Sequence, residues 1–210
     1  MFKDNLKTKL VVIITFLLSG MVFINAEQKG LIFSEVHLNK KNPNNIWLEV
    51  TNTTGSKVIL SKLRYSTVRS PNIMPNKIKE QGGIEIKSGK SIILCSNKTN
   101  FNQKNQTNTK VYEIKVLGKI AEGGFFALKG NSKKGNYMDA FRYGEAKYSK
   151  QYKDNFGDYV VPFSNNNESY IRKGTRNKNA GYKSSKNYPE FKKSTPTPGK
   201  YKISERKRGE

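Results

Sequence analysis

The sequence predicts an all-β sandwich of about eight short strands, and three observations carry that reading. Stretches such as Ile46-Trp-Leu-Glu-Val-Thr51 alternate with period two, so Ile46, Leu48 and Val50 share one face and Trp47, Glu49 and Thr51 the other. Gly, Asn and Ser turns separate these runs, and no segment carries a convincing helical period. Aromatic residues make up 11 % of the chain, enough to fill a core between two sheets although only 35 % of residues are hydrophobic.

The chain opens with Lys3, Lys7 and Lys9 ahead of an apolar run from Leu10, and the small Ala26 follows. Residues 1–26 therefore read as a secretory signal peptide or an N-terminal anchor, which implies a secreted or cell-envelope protein. Strands are expected at Leu31–Val36, Ile46–Thr51, Lys57–Leu60, Leu63–Tyr65, Gly83–Lys87 and Ser91–Leu94. Gly55 and Gly89 sit in the intervening turns, where freedom in φ is useful. Residues 96–109, SNKTNFNQKNQTNT, read as a solvated loop with Phe101 as its apolar anchor. Val111–Leu117, Gly123–Lys129 and Tyr137–Tyr143 complete the strands. The sandwich is thus expected over 30–172, with 145–168 an insertion or covering loop and 173–210 a basic, low-order tail.

Charge is the outlying feature: 39 Lys+Arg against 16 Asp+Glu give +23, and removal of residues 1–26 (Lys3, Lys7, Lys9, Asp4) would lower this to +21. Such an excess attracts polyanions: nucleic acid, anionic glycans or envelope polymers. Lys147-Tyr-Ser-Lys-Gln-Tyr-Lys153 interleaves Lys147, Lys150 and Lys153 with Tyr148 and Tyr152, a pattern that suits phosphate neutralisation beside stacked rings. The plainer reading is a loop whose rings lie on the sandwich while its lysines stay solvated. The tail adds Arg172, Lys173, Arg176 and Lys178, a cationic arm for any anionic surface.

Catalytic groups are scarce. His37 is the single histidine, and it reads as a surface or partly packed residue at a strand end, without partners for metal or triad chemistry. Asp154, Asn155 and Asp158 lack the spacing of a calcium loop. Glu35 and Glu49, if their strands are neighbours, can meet a cation such as Arg64 or Arg172, and they are not expected to act as a hydrolytic pair. Cys95 reads as a small buried apolar residue. The expectation is a non-enzymatic binding module that needs no cofactor, metal or small-molecule substrate. Its expected partner is an anionic polymer or envelope surface, nucleic acid included; the alternative is a structural component binding a protein along a sheet edge.

The order of pieces resembles the lamin tail domain family. Ile32-Phe-Ser-Glu-Val36, Trp47-Leu-Glu-Val-Thr-Asn52 and Val58-Ile-Leu-Ser61 are similar to its opening strands. Ile86–Leu94 resembles its Gly-centred hairpin, and Gly124–Leu128 and Met138-Asp-Ala-Phe-Arg-Tyr-Gly144 its later strands. Ser169-Tyr-Ile-Arg172 and Thr197-Pro-Gly199 are similar to its closing motifs. Lys62-Leu63-Arg64-Tyr65 stands where the family often has Gly-Trp, and 145–168 has no counterpart. The resemblance implies an immunoglobulin-like sandwich in which Glu35, Trp47, Glu49, Asn52, Asp139 and Gly144 are structural, with Glu35 and Glu49 in an ion pair or bonded to loop backbone. It implies a binding or anchoring role and brings no catalytic residues.

Overall fold

The computed structural model describes residues 30–67, 70–77, 83–130, 138–150, 159–173 and 191–201. Within them the chain forms two facing sheets, the all-β sandwich expected from the alternation. The first sheet has the order β12-β11-β1-β2-β6-β7. Its strands are β1 (Leu31–Leu38), β2 (Ile46–Asn52), β6 (Ser91–Cys95), β7 (Lys110–Glu113), β11 (Ser169–Arg172) and β12 (Phe191–Ser194). The second runs β10-β9-β8-β3-β4, with β5 also pairing β3. It comprises β3 (Val58–Thr67), β4 (Ser70–Lys77), β5 (Ile84–Ile86), β8 (Gly123–Gly130), β9 (Asp139–Gly144) and β10 (Val160–Val161). Neighbours run antiparallel except β6–β7 and β9–β10.

The core lies between the sheets. Leu31, Phe33, Val36, Leu38, Ile46, Leu48 and Val50 meet Leu60, Leu63, Tyr65, Phe126, Leu128, Phe141 and Tyr143 there. In β1 the inward parity changes midway, from Leu31 and Phe33 to Val36 and Leu38. A bulge between Phe33 and Glu35 makes the change. Strict alternation would aim Glu35 into the core beside Leu31 and Phe33; the extra residue turns it to the outer face. One polar bridge crosses the core edge. Asp139 of β9 accepts from the Phe33 N–H of β1 at 2.8 Å and pairs with Arg172 of β11 at 2.6 Å, both side chains being fully buried. Burial pushes the Asp139 carboxyl up, and Arg172 opposes this.

Three local expectations change, and one strand, β4, is added. Lys98–Lys104 is a short helix, α1, not a loop. The Asn97 side chain caps it by accepting from the Asn100 N–H, and Phe101 fixes it to the sheet. Val111–Leu117 is not one strand: β7 ends at Glu113, and Lys115–Lys119 is a 3-10 turn that buries Leu117. Strand β4 holds Pro71 and Pro75, which an edge position tolerates because one side needs no ladder donors. Within 145–168, Ala146–Ser149 is a helical turn, α2, and β10 joins the second sheet.

The low-order tail is corrected for residues 191–201. There β12 pairs with β11, Phe191 enters the core, and the chain docks on the first sheet. Residues 1–29, including the expected signal segment, and 174–190 and 202–210 lie outside the described residues. Among the described residues no helix is long and apolar enough to cross a membrane.

Arg172→Met would leave Asp139 buried without its cation. Urea unfolding should then show a loss of about 3–5 kcal/mol.

Candidate functional site

Glu35 and Glu49 are directly opposed across β1 and β2, on the outer face of the first sheet. Both are almost fully buried, at 1 % and 0 % exposure. What covers them is the turn Thr197-Pro198-Gly199-Lys200, closed by the Lys200 N–H donating to the Thr197 carbonyl at 3.0 Å. Pro198 presets φ at the second turn position, and Gly199 takes φ +80° at the third, as a type II turn requires. A Cβ on Gly199 would also collide with the hydroxyls of Thr107 and Thr109, in the loop before β7.

This turn aims backbone donors at the acids. Thr197 donates its N–H to Glu35 Oε1 at 2.9 Å and its hydroxyl to Oε2 at 3.0 Å. The Gly199 N–H donates to Glu49 Oε2 at 2.8 Å. The Thr51 hydroxyl lies 3.5 Å from Glu49 Oε1 and 2.7 Å from the hydroxyls of both Ser34 and Ser91. Burial pushes both carboxyls above their ordinary range, and Glu49 adds to the rise at Glu35. The Thr197 and Ser169 groups pull Glu35 back, as the Gly199 N–H and three hydroxyls do for Glu49. Of the two expected roles for these acids, backbone bonding is the one found; Arg172 pairs with Asp139 instead.

Along the same face, Trp47 is covered by α1. It forms a cluster with Ile93, Cys95 and Phe101, packing edge-on to the Phe101 ring at 5.9 Å. His37 stacks on its other side at 5.8 Å. The surface placement expected for His37 is corrected: it is 1 % exposed. Its Nδ1–H donates to the Glu168 carbonyl at 2.5 Å, and its Nε2 accepts from the Asn45 amide at 3.0 Å. That pattern uses neutral imidazole, and burial pushes its pKa down. Cys95 is buried, as expected, its thiol pushed up to about 12 by desolvation.

The remaining motif residues hold turns. The Asn52 amide donates to the carbonyls of Ser56 and Ile86, each at 2.8 Å, while its oxygen accepts from the Thr54 N–H. Gly144 has φ +86°, with backbone of Glu122 and Gly123 where a Cβ would stand.

The polyanion candidates separate. Arg172 is withdrawn, since a guanidinium buried against Asp139 cannot reach a surface ligand. Lys147 is exposed but pairs with Glu145 at 3.2 Å and lies over the half-buried Tyr148 ring at 4.7 Å. Lys150 and Lys173 are exposed. Tyr152, Lys153, Arg176 and Lys178 lie outside the described residues. Sequence reasoning noted the acids and the Thr-Pro-Gly separately and missed that they meet; the available signal was an acid on each of two adjoining strands without a cation nearby in sequence.

No protein-family model matches this chain, and no curated protein matches it.

The acid pair sets a pH dependence. The folded chain holds protons at Glu35 and Glu49 more tightly than the unfolded chain, whose carboxyls titrate near 4.5. The stabilisation this gives is complete below that value and fades as pH rises through the raised folded values. Glu49→Gln keeps an acceptor for the Gly199 N–H and removes one charge. Thermal unfolding from about pH 5 to 8 should show wild type losing Tm relative to Glu49→Gln as pH rises. Glu49→Ala strands the Gly199 N–H and should cost about 1–3 kcal/mol at either end of that range.

Proposed function

We propose that this chain is an exported, non-enzymatic binding module of the lamin tail domain type that holds a polyanion on a lysine-rich surface. The observation that carries the reading is the division of charge between interior and surface. Among the described residues no cation pairs with the buried Glu35 and Glu49, so two of the few acids are withdrawn from the surface of a chain of net +23. Lysines such as Lys40, Lys87, Lys90, Lys104, Lys110 and Lys200 remain exposed. The outer surface is therefore more basic than composition alone implies.

The family reading is supported by how its motifs interlock. Glu35 and Glu49, from two separate strand motifs, share one bonded cluster with the closing Thr197-Pro-Gly199. Asp139 and Arg172, from two others, form the buried pair beside it. Export rests on the opening segment, Lys3 to Ala26. A binding role also agrees with the fate of the reactive side chains: His37, Glu35, Glu49 and Asp139 are each committed to internal hydrogen bonds. Strand addition along the first sheet is less favoured, since its edge strands β7 and β12 have four residues each and carry lysines.

Fluorescence anisotropy with a labelled single-stranded oligonucleotide tests the reading. Affinity should fall about 100-fold or more between 50 and 200 mM salt if some six phosphates are neutralised. Truncation after Tyr201 should weaken binding and leave the fold intact, whereas truncation at residue 173 would also remove β12 and the acid-capping turn. Affinity that ignores salt would remove polyanion binding as the function.

A further inference from the structure

We infer that the polyanion seat is the end of the first sheet where the Thr197–Lys200 turn lands, and that it takes an extended phosphodiester chain by its phosphates. The inference rests on the polyanion reading above and gives it a surface and a ligand class. Three segments converge at this end. The turn between β5 and β6 is closed by the Lys90 N–H donating to the Lys87 carbonyl at 3.1 Å. The Asn52 N–H, at the end of β2, ties it down by donating to the Lys90 carbonyl at 2.9 Å. Strands β6 and β7 run parallel with Ile92 opposite Lys110, so both begin at this same end. Gly199 packs on Thr107 and Thr109 immediately before Lys110, and Lys200 is the next residue along its own chain.

Lys87, Lys90, Lys110 and Lys200 are thereby gathered at one edge, all exposed. Among the described residues none of the four has a carboxylate within ion-pair distance, and Glu85 close by is held by Lys57 at 3.0 Å. Three lysines elsewhere do have carboxylate partners, Lys115 with Glu113, Lys147 with Glu145 and Lys193 with Glu168. The acid pair thus does a second job, since the hydrogen bond from Gly199 to Glu49 holds Lys200, the next residue, at the same end as the other three lysines.

Ligand class follows from what this edge presents. Lysine ammonium groups are compact point charges suited to single phosphates. Among the described residues no aromatic side chain is fully exposed, and the nearby Tyr112 and Tyr201 are half-buried, so the lysines are the most open groups at this edge. Recognition through phosphates alone is indifferent to whether a base is attached.

The test uses the full chain and three probes: an abasic deoxyribose-phosphate oligomer, an oligothymidylate of equal length, and heparin as competitor. Wild type should bind the two oligomers with affinities within about threefold of each other. Lys87→Glu/Lys90→Glu/Lys110→Glu/Lys200→Glu should lower both by about tenfold or more at 50 mM salt and flatten the salt slope, while Lys147→Glu/Lys150→Glu should retain most of the binding. The neutral set, Lys→Ser at the same four positions, repeats the comparison if charge reversal disturbs folding, which circular dichroism would register. Wild type that binds no probe sinks the polyanion reading and this inference together. Wild type that binds, with the four-site variants unaffected, sinks the inference alone. Preference for thymidylate over the abasic oligomer, or tighter capture of heparin at equal charge, overturns the phosphodiester assignment.

Discussion

The fold turns on how two carboxylates survive side by side out of water. Glu35 and Glu49 face each other across the central pair of strands in a six-stranded sheet, and neither reaches solvent while the Thr197–Lys200 turn lies over them. A buried carboxyl without donors costs several kcal/mol, and its neighbour's charge makes matters worse. Hydroxyls from Ser34, Thr51 and Ser91 help, and two backbone N–H groups, those of Thr197 and Gly199, arrive 150 or more positions later in the chain. Once those groups are required, much else follows. The chain must return to the first sheet, β12 supplies the return, Phe191 anchors it in the core, and Pro198-Gly199 shapes the turn that delivers the donors.

The alternation of apolar residues made the strands legible, because burying one face of a sheet imposes period two directly on the sequence. Leu48 and Val50 against Trp47 and Glu49 is a pattern with one sensible solution. The bulge in β1 was not legible: Ile32-Phe-Ser-Glu-Val36 reads as a plain strand, and only the pairing register places the extra residue. The helix α1 was hidden for another reason. One buried side chain, Phe101, holds it in place, and a single apolar residue has no period. Strand β4 was masked by its two prolines, which are compatible with an edge that sequence alone does not mark.

The candidate site was half legible. Each carboxylate stood out in a chain poor in acid, and Thr197-Pro-Gly199 stood out as a closing motif in a basic tail. Their meeting could not be read, since a Glu on the polar face of a strand ordinarily points at water. Composition misled in the opposite direction for the tail. Lys, Asn and Ser dominate it, which argues against order, yet four residues of strand and one turn suffice for residues 191–201 when a buried acid pair is waiting for them.

The choice of donors has a consequence for charge. In a chain with 39 Lys and Arg, pairing Glu35 and Glu49 with cations would be the obvious route, and the described residues do not take it. Burying a lysine would freeze a long side chain, at a rotamer cost of about 1.5–2 kcal/mol, and would dehydrate its ammonium. Backbone N–H groups in a Pro-Gly turn are already nearly fixed and carry no charge to dehydrate. Neutral capping also leaves the cations outside: Lys200 is one residue beyond the donor to Glu49, exposed rather than spent on neutralising it. The same device that makes two buried acids tolerable therefore conserves positive charge for the surface, which is where a ligand bound by its phosphates would need it.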